Sequence, residues 1–435
     1  MPMAKVILKL ISITCFWLML QSCSLLKTSS STRLIEKQVG NIGVFDEHFS
    51  GMAFYDPEAS EWLYRKNADK YFTPASNTKL LTYFAAVKTL DSRLDALKYY
   101  TSNDTLYFIG TADPTTLHQD FSRQPAIEFL KNNTAEAIVY LPRPPSSKFG
   151  SGWAWDDYQY DFQPELSDFP VYGNVLYIEK TDSGVLVTPP FFEPFLEISE
   201  GKSAGRSPLY NLFSVGLEYE KENVAIPFIT SSEIIASLLS EELGRKVLRN
   251  DTLRINRSSL ETLAGIKAEV LYRIMMLRSD NFYAEQLNLM GSFKLGFGWD
   301  TDAFRNYIIG KHLSDLPQPV IWRDGSGLSR YNLITPESMV GLLEKIEAEV
   351  GFDQIRNTFP AGGNSGTIKD WYPGDPPYIY AKTGTLSNNH NLSGFLITKT
   401  GRKIIFSLMN NNYIRSNSEI KQAMQQLLEY IRDRY

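Results

Sequence analysis

The chain has 435 residues and a formal net charge of −5, from 44 basic and 49 acidic side chains. With 43% hydrophobic and 13% aromatic residues it carries enough apolar material for a large buried core, which excludes a disordered or fibrous protein. The mild negative charge, and the lack of any dense basic run, exclude a surface built to neutralise nucleic-acid phosphates.

The first residues read as a targeting segment. Lys5 and Lys9 form a positive start, "LISITCFWLML" is an apolar stretch too short to span a bilayer comfortably, and Leu20 to Cys23 reads "LQSC". That ending resembles the bacterial lipoprotein signal. It implies a signal peptide over residues 1–22, lipidation at Cys23, a Ser-rich tether over 23–33 and a periplasmic or envelope location on a membrane anchor. Cys15 and Cys23 both lie in this segment, so the domain beyond it has no thiol for a disulfide, a zinc site or a nucleophile.

Next, "HFSGMAFYDP" and "WLYRKNADKYF" predict two strands of a hairpin turning at Asp56-Pro57-Glu58. A helix follows from near Pro74, with Leu80, Phe84, Val87 and Leu90 at helical spacing. From Asp91 to Pro227 the texture changes to short β-like runs broken by Pro, Gly, Asp and Asn, which predicts an inserted, mostly β domain over 91–227. Helical patterning then returns in "SSEIIASLLSEEL" and in "LAGIKAEVLYRIMMLRSDNFYAEQLNLM", the latter interrupted at "RSDN". The end of the chain predicts a helix opened by Thr335-Pro336, three strands in "YIYAKTGTL", "LSGFLIT" and "KIIFSLMN", and a closing helix in "SEIKQAMQQLLEYI".

Ser76 and Lys79 stand three apart where a strand end enters a buried helix. Residues i and i+3 share a helix face, so the amine can reach the hydroxyl. The same spacing recurs at Ser24 and Lys27, Ser199 and Lys202, and Ser418 and Lys421, none at such a junction. To act as a base, Lys79 must lose its proton well below its ordinary value near 10.4, and burial supplies that pressure. The Ser76 N–H, unpaired at a helix start, is available to an oxyanion.

Two further groups complete the chemistry. Ser279-Asp280-Asn281 breaks a helix with residues that favour turns; it can present Ser279 as a proton relay and Asn281 as an amide toward a substrate, with Asp280 directed elsewhere. Lys382-Thr383-Gly384 lies inside a strand, where Gly384 signals a close backbone approach. Lys382 can hold a substrate carboxylate, Thr383 can donate a hydroxyl, and the Thr385 N–H can serve as the second oxyanion donor. The other "KTG", at Lys399 to Gly401, reads as a hairpin turn.

In this order the three motifs resemble those of penicillin-binding proteins and serine β-lactamases. "GTADPTT", "WAWDDYQY", "DGSGLSRYNLITPESM", "AGGNSGTI" and the long gap from Lys79 to Ser279 are similar to the D-alanyl-D-alanine carboxypeptidase/endopeptidase family. The resemblance implies an α+β, transpeptidase-like domain over 34–90 and 228–435, an antiparallel sheet flanked by helices. It implies acyl transfer with Ser76, Lys79 and Ser279 as catalytic residues and Asn281, Lys382, Thr383 and Gly384 at the substrate, the Ser76 and Thr385 N–H groups forming the oxyanion hole. Peptidoglycan peptides are then the substrate and β-lactam antibiotics acylating inhibitors, with no metal or cofactor. A β-lactamase or esterase of the same fold, and a non-catalytic wall-binding lipoprotein, are the alternatives. The chain contains no G-x-S-x-G elbow and no H-E-x-x-H, and His390 reads as a loop or surface residue; Asp324 to Ser329 read either as lining the cleft or, more simply, as a Gly-rich turn.

Overall fold

The computed structural model describes residues 30–143, 145, 147–181, 184–253 and 259–435; the signal segment and Cys23 lie outside them. Helix α1 (Ser30–Asn41) already begins inside the stretch expected as tether. The predicted hairpin forms as β1 (Phe49–Asp56) and β2 (Glu61–Lys66), followed by α2 (Lys79–Thr89).

The inserted body follows. It contains β3 (Arg93–Ser102), β4 (Thr105–Ile109), α3 (Pro125–Asn132), β5 (Ala137–Tyr140), β6 (Val175–Thr181), β7 (Gly184–Thr188), β8 (Leu196–Ser199), β9 (Ala204–Arg206), β10 (Phe213–Gly216) and β11 (Asn223–Pro227). The expected boundary at 227/228 falls short of its end. Helix α4 (Ser232–Leu243) and strands β12 (Val247–Arg249) and β13 (Glu261–Lys267) continue the same body, for β12 pairs with β5 and β13 with β3, giving the sheet order β12-β5-β4-β3-β13. Ile235, Leu238 and Leu239 of α4 bury with Phe108, Phe169 and Phe192 in one core. Periodicity identified α4 as a helix but carried nothing about which core it joins.

Beyond Lys267 come α5 (Ala268–Arg278), α6 (Asn281–Lys294), α7 (Thr301–His312), α8 (Pro336–Val350), α9 (Phe352–Thr358), β14 (Ile379–Leu386), β15 (Asn389–Ile397), β16 (Lys403–Asn411) and α10 (Asn417–Arg434). The strands order as β14-β15-β16-β1-β2, all antiparallel, so the first and last parts of the chain build one sheet. Alternate residues of β16 serve opposite faces, as a strand requires. Ile404, Phe406 and Leu408 pack with Ile35 of α1 and Met424 and Leu427 of α10, while Ile405 and Met409 pack with Leu80, Leu287 and Leu343 from α2, α6 and α8. The fold is thus α+β, with a sheet between two helical layers. Among the described residues no helix is long and apolar enough to cross a membrane.

Candidate active site

Strand β14 is the edge of the main sheet, and the site forms where that edge meets the start of α2. Residues Ala75–Thr78 make a 3-10 turn before α2, and Ala75 holds φ 48°. A Cβ on Gly384 would lie 2.3 Å from Pro74 O and 3.0 Å from Ser76 N, so β14 approaches this turn as only glycine permits. On the other side, a Cβ on Gly327, at φ 86°, would lie 2.0 Å from Ala75 O. The nucleophile turn is therefore gripped between two glycine backbones.

Lys79 is wholly buried while Ser76 is half-buried. The Lys79 amine has three partners: Ser76 Oγ at 3.0 Å, Asn281 Oδ1 at 2.7 Å and Ser326 O at 2.6 Å. The Asn281 Nδ2 donates to Phe162 O at 3.0 Å, which orients its Oδ1 toward the lysine. Two of the three partners are carbonyl oxygens and can only accept; the Ser76 hydroxyl alone can also donate. A neutral Lys79 then spends its two N–H bonds on the carbonyls and turns its lone pair to Ser76. Burial pushes its pKa down to about 8, against the raising pull of Asp280, Asp324 and Glu285.

Ser279 and Asn281 come from the corner between α5 and α6. Ser279 ends α5 in the left-handed region, φ 61°, and Asp280 caps α6 by accepting the Tyr283 N–H at 2.8 Å. Asp280 thus faces its own helix, as the motif suggested. Lys382, wholly buried on β14, donates to Ser279 Oγ at 2.8 Å and to Thr383 O at 2.8 Å. Burial first, and then the Lys79 charge, hold Lys382 well below its ordinary pKa. Thr383 Oγ1 lies 2.7 Å from Thr367 Oγ1. The Ala381 N–H donates to Pro360 O at 3.0 Å across the open edge of β14. Residues two apart point the same way, so the Thr383 and Thr385 N–H groups face that edge too.

The structure thus brings Ser76, Lys79, Ser279, Asn281, Lys382, Thr383, Gly384 and Thr385 together around the nucleophile turn; Cys23 lies outside the described residues. One expectation needs correction. His390 is neither loop nor surface: it is buried in β15 opposite Thr385, its Nδ1 2.8 Å from Thr385 Oγ1, and burial pushes it down to about 3. Asp324 to Ser329 are more than a Gly-rich turn. Asp324 accepts from the N–H groups of Gly327 and Ser329, from Asn332 Nδ2 and from Trp153 Nε1, and so shapes the loop whose Ser326 carbonyl meets Lys79.

Glu285 was missed altogether. It is buried on α6 one turn past Asn281 and accepts the Ser326 N–H at 2.7 Å. A carboxylate one helical turn past Asn281, on the same helix face, was the available signal.

The sequence profile of the D-Ala-D-Ala carboxypeptidase 3 (S13) family matches residues 34–193 and 214–433. The chain is 23% identical to penicillin-sensitive carboxypeptidase A of Dictyostelium discoideum over 446 positions, 86% of this chain and 85% of that one. It is 24% identical to a D-alanyl-D-alanine carboxypeptidase of Actinomadura over 84% of this chain and 78% of that one. The crystal structure of penicillin binding protein 4 from Haemophilus influenzae superposes with a TM-score of 0.70 at 21% identity, covering 90% of this chain and 98% of that one.

Proposed function

The chain belongs to the D-Ala-D-Ala carboxypeptidase 3 (S13) family of serine peptidases, and from that premise we propose that it hydrolyses the bond after a D-alanine in peptidoglycan peptides through an acyl-enzyme on Ser76. Lys79 removes the Ser76 proton and Oγ attacks the D-alanine carbonyl. The Ser76 and Thr385 N–H groups stabilise the oxyanion. As the C–N bond breaks, Ser279 relays a proton from Lys79 to the leaving amine. Water then attacks the ester, giving its proton to Lys79; as the C–O bond to Ser76 breaks, Lys79 returns that proton to Ser76 Oγ, and the peptide leaves with a new carboxylate.

Lys382 and Thr383 hold the substrate carboxylate, and Asn281 orients the peptide. A carboxylate beside Lys382 would restore the charge that burial suppresses. A terminal D-alanine and a cross-linked D-amino acid present the same carbonyl, so carboxypeptidase and endopeptidase cleavage share these steps. A β-lactam occupies the site as an acylating inhibitor. We assign the protein to the cell envelope, anchored through a lipid on Cys23.

The observation that carries the proposal is the Lys79 hydrogen-bond set, two carbonyl acceptors and one hydroxyl at 3.0 Å. The test is labelling by a fluorescent penicillin together with release of D-alanine from a peptide ending in D-Ala-D-Ala. Stable labelling and release, both lost in Ser76→Ala, are expected. Rapid shedding of the label would instead indicate a β-lactamase, and no labelling of the folded chain a binding protein. For the anchor, Cys23→Ala is expected to move the protein from the membrane to the soluble fraction; unchanged partition would exclude it.

A further inference from the structure

The turn at residues 117–121 of the inserted body grips the corner that carries Ser279 and Asn281. Asp120, its side chain only 6% exposed, accepts from Arg278 Nη1 at 2.5 Å through one oxygen and from Tyr283 Oη at 2.7 Å through the other. His118 closes the circuit. Its Nδ1 accepts the Asp120 N–H at 3.2 Å, and Tyr283 Oη lies 3.0 Å from both ring nitrogens, so that with Nδ1 as the acceptor the ring hydrogen on Nε2 faces the Tyr283 oxygen. Burial pushes His118 down to about 4, so the ring is neutral and one nitrogen remains an acceptor. Burial alone would raise the Asp120 carboxyl, but the hydrogen bonds from Arg278 and Tyr283 outweigh it and hold the group ionised.

The position of these partners gives the circuit its meaning. Arg278 is the last residue of α5 and Tyr283 lies in the first turn of α6, so one carboxylate is tied to both sides of Ser279-Asp280-Asn281. Ser279 sits between them at φ 61°, a conformation that a serine leaves readily when its flanks are free. One turn further along α6, Gln286 Nε2 donates to Ala112 O and Ser167 O, both at 2.9 Å and both in the inserted body. The contact is continuous from the corner into the helix.

We infer that Asp120, with His118 and Tyr283, is a positioning group through which the inserted body keeps Ser279 on Lys382 and Asn281 on Lys79. The inference rests on the Ser76 acyl-enzyme proposed above. It gives the insert a part in catalysis that a plain spacer would not have.

The test uses the full chain in detergent, with Asp120→Ala, Tyr283→Phe, Asn281→Ala and the two double variants that combine Asn281→Ala with each of the others. Labelling at several concentrations of fluorescent penicillin separates affinity before acylation from the acylation rate constant. Asp120→Ala is expected to lower the rate constant by about tenfold while affinity changes by less than about twofold. In the Asn281→Ala background the same substitution is expected to cost clearly less, about threefold, because one of the two groups it positions is gone and only Ser279 remains to be displaced.

Full-rate acylation by Asp120→Ala, or an equal loss in both backgrounds, overturns the inference. Should Asp120→Ala fail to fold, Tyr283→Phe removes a single oxygen; a loss of about threefold that shrinks without Asn281 supports the inference, and no loss, or an equal loss in both backgrounds, overturns it. A parent chain that takes no label overturns the Ser76 acyl-enzyme and this inference together, whereas a labelled parent with unaffected variants overturns this inference alone.

Discussion

Lys382 Nζ lies 2.8 Å from Ser279 Oγ, across 103 residues of sequence, and the serine reaches it only because its backbone holds φ 61°. Ser279→Ala and Ser279→Gly both remove the hydroxyl, but only glycine adopts that backbone without steric cost. If Ser279 relays a proton, the two variants should slow acylation alike, by about a hundredfold. Their melting should differ, with the glycine variant more stable by about 1 kcal/mol. Acylation kinetics and thermal melts read the two effects separately; normal acylation by Ser279→Ala would remove the relay.

Lys79 gives the site its pH dependence. With the amine pushed down to about 8, labelling should rise with pH through that value and level off above it. The sign for stability follows from proton counts. Between about 8 and 10.5 the unfolded chain binds the proton that the folded one has lost, so stability rises with pH there. Below that window the folded protein keeps a buried ammonium at a cost of about 3 kcal/mol. Lys79→Met should abolish labelling and remove part of the rise, the remainder belonging to Lys382, which is shifted in the same direction. Denaturant unfolding at a series of pH values checks this, and an unchanged slope in the variant would contradict it.

Gly384 offers a steric test. A Cβ there would meet three backbone atoms, Pro74 O at 2.3 Å, Asn77 N at 2.8 Å and Ser76 N at 3.0 Å, so β14 would have to retreat from the nucleophile turn. Gly384→Ala should lower acylation by about a hundredfold or more, as loss of an oxyanion donor does, and stability by about 1–3 kcal/mol. Gly401→Ala is the control from the second Lys-Thr-Gly. Its Cβ meets nothing within 4 Å but its φ is 86°, so it should cost about 1 kcal/mol of stability and leave labelling intact. Equal labelling by the two variants would rule out the close approach as a catalytic requirement.

The parts of the site legible in the sequence were those set by local geometry. Ser76 and Lys79 are one helical turn apart, Ser279 to Asn281 announce a helix break, and Gly384 stands out in a strand. What joins them is not local. The sheet pairs β1 with β16, and nothing in either segment names its partner. His390 was misread because "NNHN" looks like a loop. Its polar groups are satisfied by residues outside the segment, His390 by Thr385 on the neighbouring strand and Asn391 by Thr73 O at 2.9 Å in the loop before the nucleophile turn, which a one-dimensional pattern does not display. The extent of the insert failed for the same reason, since β12 and β13 find their partners more than a hundred residues back.

Glu285 separates the two things a buried carboxyl can provide, an oxygen and a charge. Its Oε1 accepts the Ser326 N–H at 2.7 Å, and the carbonyl of the same residue accepts from Lys79 at 2.6 Å. Burial, and then the Asp324 carboxylate, push Glu285 above its ordinary 4.5. The folded chain therefore holds a proton that the unfolded one releases, and stability falls as pH rises from 4.5 toward the folded value. Glu285→Gln keeps the acceptor and removes the titration. It should label at close to the parent rate, match the parent near pH 4 and exceed its stability at pH 8. Glu285→Ala leaves the Ser326 N–H unpaired and should be about 1–3 kcal/mol less stable than the glutamine variant at every pH, with slower labelling as the Ser326 carbonyl drifts from Lys79. Melting of the three proteins at both pH values decides the matter. A glutamine variant less stable than the parent at pH 8 would mean that the site uses the charge; the expected order means that it uses the oxygen and tolerates the charge.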